Sequence, residues 1–243
     1  MTLSHRLICM ILLCVGCTAE SLAQDTGNTL SELQLQLAVP DEIVAISPDG
    51  RFIASAGSRA STKWICVFEA ETGRELFVLQ PDADSLRSTV RIWALAFSPD
   101  GTSLASQGGK AGVVIWDLES RRITRILDIG DGLGSLAWSH DGNALAVSAG
   151  DEGLEIYDLQ RQRVALILPD TLPSSPLKWT EKRIAFSAEG NTVGFSRKDA
   201  AIMVYNARTG EHLHTFIGHA RAVTSLAFSS SGDRLLSTAD DGT

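Results

Sequence analysis

Apolar runs of a few residues recur along the chain, separated by turn-forming residues, and this pattern predicts β-strands. In one representative stretch the runs cover 92–97, 104–106, 113–116 and 123–127. The corner Ser98–Gly101, SPDG in sequence, joins the first two runs, and an Asp-Gly corner between apolar runs is a strong signal of a β-hairpin. No sustained helical period follows residue 23. The pattern therefore predicts an all-β chain built from four-stranded antiparallel units.

The unit repeats along the chain at a nearly regular period. Its turn glycine returns after 51, 41, 48 and 42 residues, at Gly50, Gly101, Gly142, Gly190 and Gly232. In the complete copies an aromatic residue follows the glycine and stands before an acid or amide: Phe68, Trp116, Tyr157 and Tyr205. Four-stranded units at this period predict a β-propeller, because one such sheet cannot bury both its faces and stacked units cover them.

The repeated phrase resembles the WD-repeat β-propeller family. The residues that carry the resemblance are FSPDG, LAS and VVIWD within 97–117, together with Gly218-His219 before the first strand of the last copy. The resemblance covers roughly Leu33 to Thr243. The Tol-type periplasmic propeller is the close alternative, since it shares the FSPDG hairpin but not the Trp-Asp ending.

The resemblance also implies a blade-stabilising network of Trp, Ser or Thr, His and Asp. The last copy aligns His219, Ser237 and Asp241 with three of these positions. The second copy aligns Ser106 and Trp116 instead. There Ala111 replaces the Asp and Ser88 replaces the His, so we expect that copy to depend more on apolar packing.

The number of repeats suggests a partial ring. Four complete units and half of a fifth are present, whereas the family usually closes with about seven blades. We therefore expect a fragment of a longer propeller. On this interpretation Leu33–Leu37, LQLQL in sequence, is the outer strand that the N-terminal side donates to ring closure.

The start of the chain predicts export. Arg6 and the amino terminus precede the apolar run 7–17, and Ser21 and Ala23 precede Gln24, which is typical of a secretory signal peptide. The predicted organisation is a signal peptide at 1–23, a linker at 24–32 and the propeller at 33–243, with no membrane span after cleavage. An uncleaved anchor and a lipoprotein with its lipid on Cys17 are the alternatives. Export predicts a periplasmic or extracellular location.

Loop lengths suggest where a partner binds. From the aromatic residue to the first residue of the fourth strand the spacing is eight in all complete copies, but from the end of that strand to the next turn glycine it is 22, 15, 22 and 16. The extra residues fall at 80–89 and 169–181, on the face that carries these connections in a propeller. Arg87, Lys178 and Trp179 are the predicted partner-binding residues, because an aromatic residue beside cations makes an anchor. The alternative is that these loops drift in length and Trp179 caps the core.

The sequence offers no catalytic, cofactor or metal motif. It lacks the nucleophile elbow, the phosphate-binding loop and the calcium-loop spacing. His212 and His214 are two residues apart, which predicts that they share one face of a strand, but no cysteine or third histidine accompanies them. With a formal net charge of -8 and no basic block, nucleic acid is not an expected partner.

These observations favour a non-catalytic scaffold that binds protein partners in the cell envelope or outside the cell, with no cofactor. Two alternatives remain open. One is the non-catalytic propeller of a larger enzyme or kinase-type protein, and the other is a small-ligand or glycan-binding propeller.

Overall fold

The computed structural model describes residues 43–56, 65–80, 92–108, 112–129, 135–149, 153–169 and 182–243. Within these ranges the secondary structure consists of strands and turns, and no helix is present. The described ranges accordingly contain no helix of the length and apolarity that a membrane crossing needs.

Four sheets share one order, in which each of four antiparallel strands pairs with the next along the chain. Blade 1 contains β1 (Ile43–Ile46), β2 (Phe52–Ala56), β3 (Ile65–Glu69) and β4 (Glu75–Leu79). Blade 2 contains β5 (Ile92–Phe97), β6 (Ser103–Gly108), β7 (Val113–Asp117) and β8 (Arg122–Leu127). Blade 3 contains β9 (Leu136–Trp138), β10 (Ala144–Ser148), β11 (Gly153–Asp158) and β12 (Arg163–Pro169).

Blade 4 contains β13 (Ile184–Phe186), β14 (Thr192–Ser196), β15 (Ile202–Asn206) and β16 (His212–Phe216). The fifth sheet has two strands among the described residues, β17 (Val223–Phe228) and β18 (Leu235–Ala239). The first strand of each sheet contacts the first strand of the next, so the first strands lie innermost and the fourth strands outermost. This arrangement is consistent with a β-propeller, and the predictions of an all-β fold and of four-stranded blades are confirmed.

Apolar clusters between successive blades hold the array together. Each cluster draws side chains from both blades, as the stacking argument requires. Between blades 1 and 2, for example, Val67 and Leu79 meet Leu104 and Trp116, all of them buried. Equivalent clusters lie between blades 2 and 3, between blades 3 and 4, and between blade 4 and the fifth sheet. Burying a large apolar side chain fully contributes about 1.5–3 kcal/mol, so these junctions are the main source of stability.

The Ser-x-Asp-Gly corners form tight turns with a repeated set of hydrogen bonds. In blade 2 the Ser98 hydroxyl donates to Asp100 Oδ1 at 2.6 Å, and the backbone amide of Thr102 donates to the same oxygen at 3.0 Å. The Ser98 hydroxyl oxygen in turn accepts from the amide of Ser103. Gly101 closes the turn at φ +70°, a conformation that costs other residues about 1–2 kcal/mol. The serine and aspartate thus define the hairpin, and the glycine makes its backbone geometry accessible.

Several sequence predictions concern residues outside the described ranges. They are the signal peptide 1–23, the linker 24–32, the strand Leu33–Leu37, and the two substituted network positions Ser88 and Ala111.

Candidate binding surfaces

The two ends of the strands define two faces of the array. In a four-stranded antiparallel blade the hairpins between strands one and two and between strands three and four lie at one end. We call this the hairpin face. The connection between strands two and three, and the link to the next blade, lie at the other end, which we call the loop face. The predicted partner-binding residues Arg87, Lys178 and Trp179 belong to the loop face by sequence position, but they lie outside the described residues.

Neighbouring turns of the hairpin face pack against one another. A Cβ on Gly142 would lie 3.8 Å from Pro99, one on Gly190 would lie 3.7 Å from the His140 amide nitrogen, and one on Gly232 would lie 3.6 Å from the Ser187 Cβ. The turns therefore form a continuous row from blade 2 to the fifth sheet. His140 is exposed within this row.

The aspartates of the Ser-x-Asp-Gly turns on the hairpin face are ionised well below neutral pH. A hydrogen bond from the neighbouring serine hydroxyl is the main cause that lowers the pKa of Asp49, Asp100 and Asp141. All three side chains lie at exposed turn positions. These three turns therefore carry negative charge at physiological pH.

Each complete blade has a register shift in its fourth strand, at the same place. The pairing of β3 with β4, of β7 with β8, of β11 with β12 and of β15 with β16 shifts by one residue directly before the aromatic position. The residues left without an opposite partner are Leu76, Thr124, Ala165 and Leu213. A β-bulge of this kind changes the direction of the side chains that follow it.

The side chain after the bulge reaches the hairpin of the next blade. Phe77 of blade 1 lies under the guanidinium of Arg121 in blade 2, at 4.7 Å. Leu166 of blade 3 comes within 3.4 Å of a Cβ built on Gly210 in blade 4. In blade 2 the equivalent residue is Arg125, whose Nη1 donates to the carbonyl oxygen of Leu159 in blade 3 at 2.6 Å.

A groove of about 670 Å³ lies on the hairpin face between blades 2 and 3. One wall is formed by the Ser98–Asp100 turn and Arg125, and the other by Trp138 and the His140–Asn143 turn. Trp138 Nε1 donates to the carbonyl oxygen of Ala96 across the blade junction at 3.1 Å, so this indole is held in place. The groove exists where a polar Arg125 occupies the position that an apolar side chain fills in blades 1 and 3.

The residues of the expected blade network lie close together in two places. In blade 2 the Trp116 indole Nε1 donates to Ser106 Oγ at 2.9 Å, and both residues are buried. In the fifth sheet His219 Nε2 lies 2.8 Å from Ser237 Oγ, while its Nδ1 lies 3.2 Å from Asp241 Oδ2. The bond in blade 2 links β6 with β7, and the contacts in the fifth sheet link β18 and Asp241 with the segment before β17.

Asp241 is the carboxylate of this network, and hydrogen bonds stabilise its ionised form. It accepts hydrogen bonds from the Thr243 hydroxyl and from the backbone amide of Ala220, at 2.7 Å each. These bonds, the Thr243 hydroxyl first, hold the pKa of Asp241 far below its ordinary value. The network therefore contains an ionised carboxylate that accepts from the segment before β17.

The order Ser237, His219, Asp241 has the hydrogen-bond connectivity of a hydrolase triad. A nucleophile of that class also needs oxyanion donors and a substrate site beside it. None of these three residues lines the groove between blades 2 and 3. Their contacts tie β18 and Asp241 to the segment before β17.

The prediction that His212 and His214 share one face of a strand is wrong. The bulge at Leu213 places His212 opposite Tyr205 and His214 opposite Val204, and adjacent residues of a strand face opposite sides. The His212 ring accordingly contacts Tyr205, whereas that of His214 approaches Phe216. Among the residues that the structure describes, no group of three or more His, Cys, Asp or Glu side chains could hold a metal ion.

Sequence reasoning missed Arg125 and Trp138 as surface-forming residues. Arg125 follows the fourth-strand bulge, and this position can be found by aligning Phe77, Arg125 and Leu166 relative to the aromatic marker. The available signal was a cation at a position that is apolar in blades 1 and 3. For Trp138 the signal was its size, because the equivalent positions in blades 2 and 4 carry Phe97 and Phe186.

Comparison with known families identifies two repeats. The family model described as WD domain, G-beta repeat, matches residues 84–117 and 210–243. These matches support a WD-repeat family, in line with the resemblance carried by the Trp-Asp phrase and by Gly218-His219. WD40 repeats generally mediate protein–protein interaction, and propellers built from them are generally non-catalytic. No curated protein matches the chain.

Proposed function

We propose that this chain is an exported, non-catalytic scaffold that binds a protein partner through its loop face. The observation that carries the proposal is the pair of WD40 repeat matches on an array of four-stranded blades. The faces of the blades are buried where the blades pack against one another. Partner recognition is therefore left to the connections at the strand ends.

A difference between the faces in the lengths of their connections favours the loop face for the main partner. The hairpins between strands three and four keep one length in every complete copy, whereas the connections after the fourth strands vary. Variable connections on a constant framework are typical of binding surfaces. In this proposal Arg87, Lys178 and Trp179 provide the anchor, and an aromatic side chain beside cations is a common composition of binding hot spots.

The proposed organisation is a signal peptide at 1–23, a linker at 24–32 and the repeat array from 33 onward. The apolar run 7–17 and the small residues before Gln24 support this division. Cell fractionation and N-terminal sequencing of the exported protein test it. A mature protein that begins at Gln24 is expected, and a cytoplasmic protein that retains Met1 would refute the proposal of export.

The partner-binding proposal is tested with the triple variant Arg87→Ala/Lys178→Ala/Trp179→Ala. We expect it to lose partners that the unchanged protein retains after cross-linking in envelope extracts, with unchanged thermal unfolding. Glu119→Ala is the matched control, because Glu119 is exposed on a hairpin of constant length. Identical partners for the triple variant and the control would rule out the loop-face proposal.

A further inference from the structure

We propose that the groove between blades 2 and 3 is a second docking site, which binds a basic, extended segment of a partner protein. This inference goes beyond the proposed function, because the groove lies on the hairpin face and the proposed main site lies on the loop face. A scaffold with both sites would bridge two partners.

The groove has the volume of a binding site, and several of its lining side chains are held in place. Its volume of about 670 Å³ falls within the range of ligand-binding clefts in proteins. Three lining side chains are already held by hydrogen bonds: Trp138 to the Ala96 carbonyl, Arg125 to the Leu159 carbonyl and Gln160 to the Asn143 side chain. A lining that is ordered before binding lowers the entropy cost of association.

The charges of the lining select a basic occupant. Asp100 and Asp141 both line the groove, one on each wall. Their turns donate hydrogen bonds to Oδ1 of each carboxylate, so that Oδ2 retains capacity as an acceptor. Both carboxyl groups are ionised at neutral pH, because hydrogen bonds lower a pKa that is already acidic. Arg125 is the one guanidinium in the lining, and it already donates to a backbone carbonyl.

Trp138 adds an apolar and aromatic surface between these charges. Lys and Arg side chains place their aliphatic stems on such surfaces and their cations near carboxylates or over aromatic rings. The amides of Asn143 and Gln160 each have further hydrogen-bonding capacity, which suits a peptide backbone. An extended segment with cationic side chains therefore matches the composition of this groove.

The junctions on either side of the groove are filled differently. Phe77 under the Arg121 guanidinium occupies the junction between blades 1 and 2, and Leu166 against Gly210 occupies that between blades 3 and 4. The groove thus lies where Arg125 stands at a position that is apolar in blades 1 and 3.

The test uses the full chain and a fluorescein-labelled heptapeptide of alternating lysine and threonine. A counterpart with glutamate in place of lysine reports on charge. We expect the lysine peptide to bind, with an affinity that falls at high salt. The double variant Asp100→Asn/Asp141→Asn retains the turn acceptors and removes both charges. Its dissociation constant should rise about tenfold, since two partly exposed ion pairs are lost.

The double variant Asp49→Asn/Asp233→Asn is the matched control. It removes two charges from equivalent turns of the same face that do not line the groove. We expect it to change the dissociation constant less than twofold. Equal weakening by both double variants would show binding to the general negative field and would overturn the proposal, as would equal affinity for the glutamate peptide.

The indole N–H resonance of Trp138 locates the bound peptide. It is assigned through Trp138→Phe and should shift on titration with the lysine peptide. An unshifted resonance at saturation would overturn the proposal. A shift that follows protein concentration without peptide would assign the groove to a second copy of the chain and would overturn it as well. The triple variant of the loop face should bind the peptide normally, so failure of either proposal can be recognised separately.

Discussion

Blade 2 and the fifth sheet carry the same serine and glycine of the repeat in different surroundings. In blade 2 Ser106 is buried and accepts from the indole of Trp116. In the fifth sheet the equivalent Ser237 is half-buried and contacts His219. Gly112 lies against the end of the fourth strand, where a Cβ would be 2.1 Å from the Leu127 carbonyl oxygen, whereas Gly242 has no atom within 4 Å of that position.

The difference shows that the same residue of the repeat contributes differently to stability in different sheets. In blade 2, which has four strands, neighbouring atoms enclose the serine and the glycine. The effect of a substitution there depends mainly on steric fit. In the fifth sheet, the contacts described near the same positions are polar, among them those of His219 and Asp241. Substitutions at matched positions should therefore have unequal effects in the two sheets.

The largest effect is expected from the two glycines. Both have positive φ, +69° for Gly112 and +86° for Gly242. Gly112→Ala places a methyl group against a backbone carbonyl that cannot move without breaking β8, and should lower the free energy of unfolding by more than about 3 kcal/mol. Gly242→Ala meets only the backbone penalty, about 1–2 kcal/mol. Urea denaturation measures both, and equal losses would contradict the comparison.

The second largest loss of stability is expected from substitution of the buried indole of blade 2. Trp116→Phe removes the donor to Ser106 and leaves a buried hydroxyl without that partner, which should cost about 1–3 kcal/mol. Thermal unfolding of Trp116→Phe, Ser106→Ala and the combined variant completes a double-mutant cycle. A coupling energy of about 1 kcal/mol is expected. A coupling near zero would mean that the hydrogen bond does not stabilise blade 2.

The smallest expected effect is on the loss of stability in acid, to which the fifth sheet contributes. The pKa of Asp241 is lowered in the folded protein, mainly by the Thr243 hydroxyl and then by the Ala220 amide. Its stabilising contribution is therefore present above the unfolded pKa of about 3.9 and is lost as the pH falls toward the folded value. Asp241→Asn should flatten the decline of the urea midpoint between about pH 4 and pH 2.

Trp116→Phe is the control for the acid experiment, because it alters the blade 2 network without touching a carboxylate. It should leave the pH dependence of the urea midpoint parallel to that of the unchanged protein. An unchanged pH profile in Asp241→Asn would show that this carboxylate does not contribute to acid sensitivity.

The strand pattern and the turns could be predicted because local residues determine them. The runs around Ser98–Gly101 were assigned correctly, since the serine and aspartate make their bonds within five residues of one another. The bulge before Phe77, Arg125 and Leu166 could not be predicted in this way. Alternation of side chains is interrupted there by one residue, and an apolar pattern alone does not specify register. The error about His212 and His214 has this origin.

The sequence by itself determined the period of the repeat, the four-stranded unit and the chemistry of its turns, because these depend on neighbours along the chain. The tertiary structure decided which side chains cross from one blade to the next. Arg125 donates to the Leu159 carbonyl and Trp138 to the Ala96 carbonyl. Because every residue has a backbone carbonyl, the sequence does not show which one accepts the bond. Only the packing of one blade on another selects such partners, and that selection left the groove between blades 2 and 3 open.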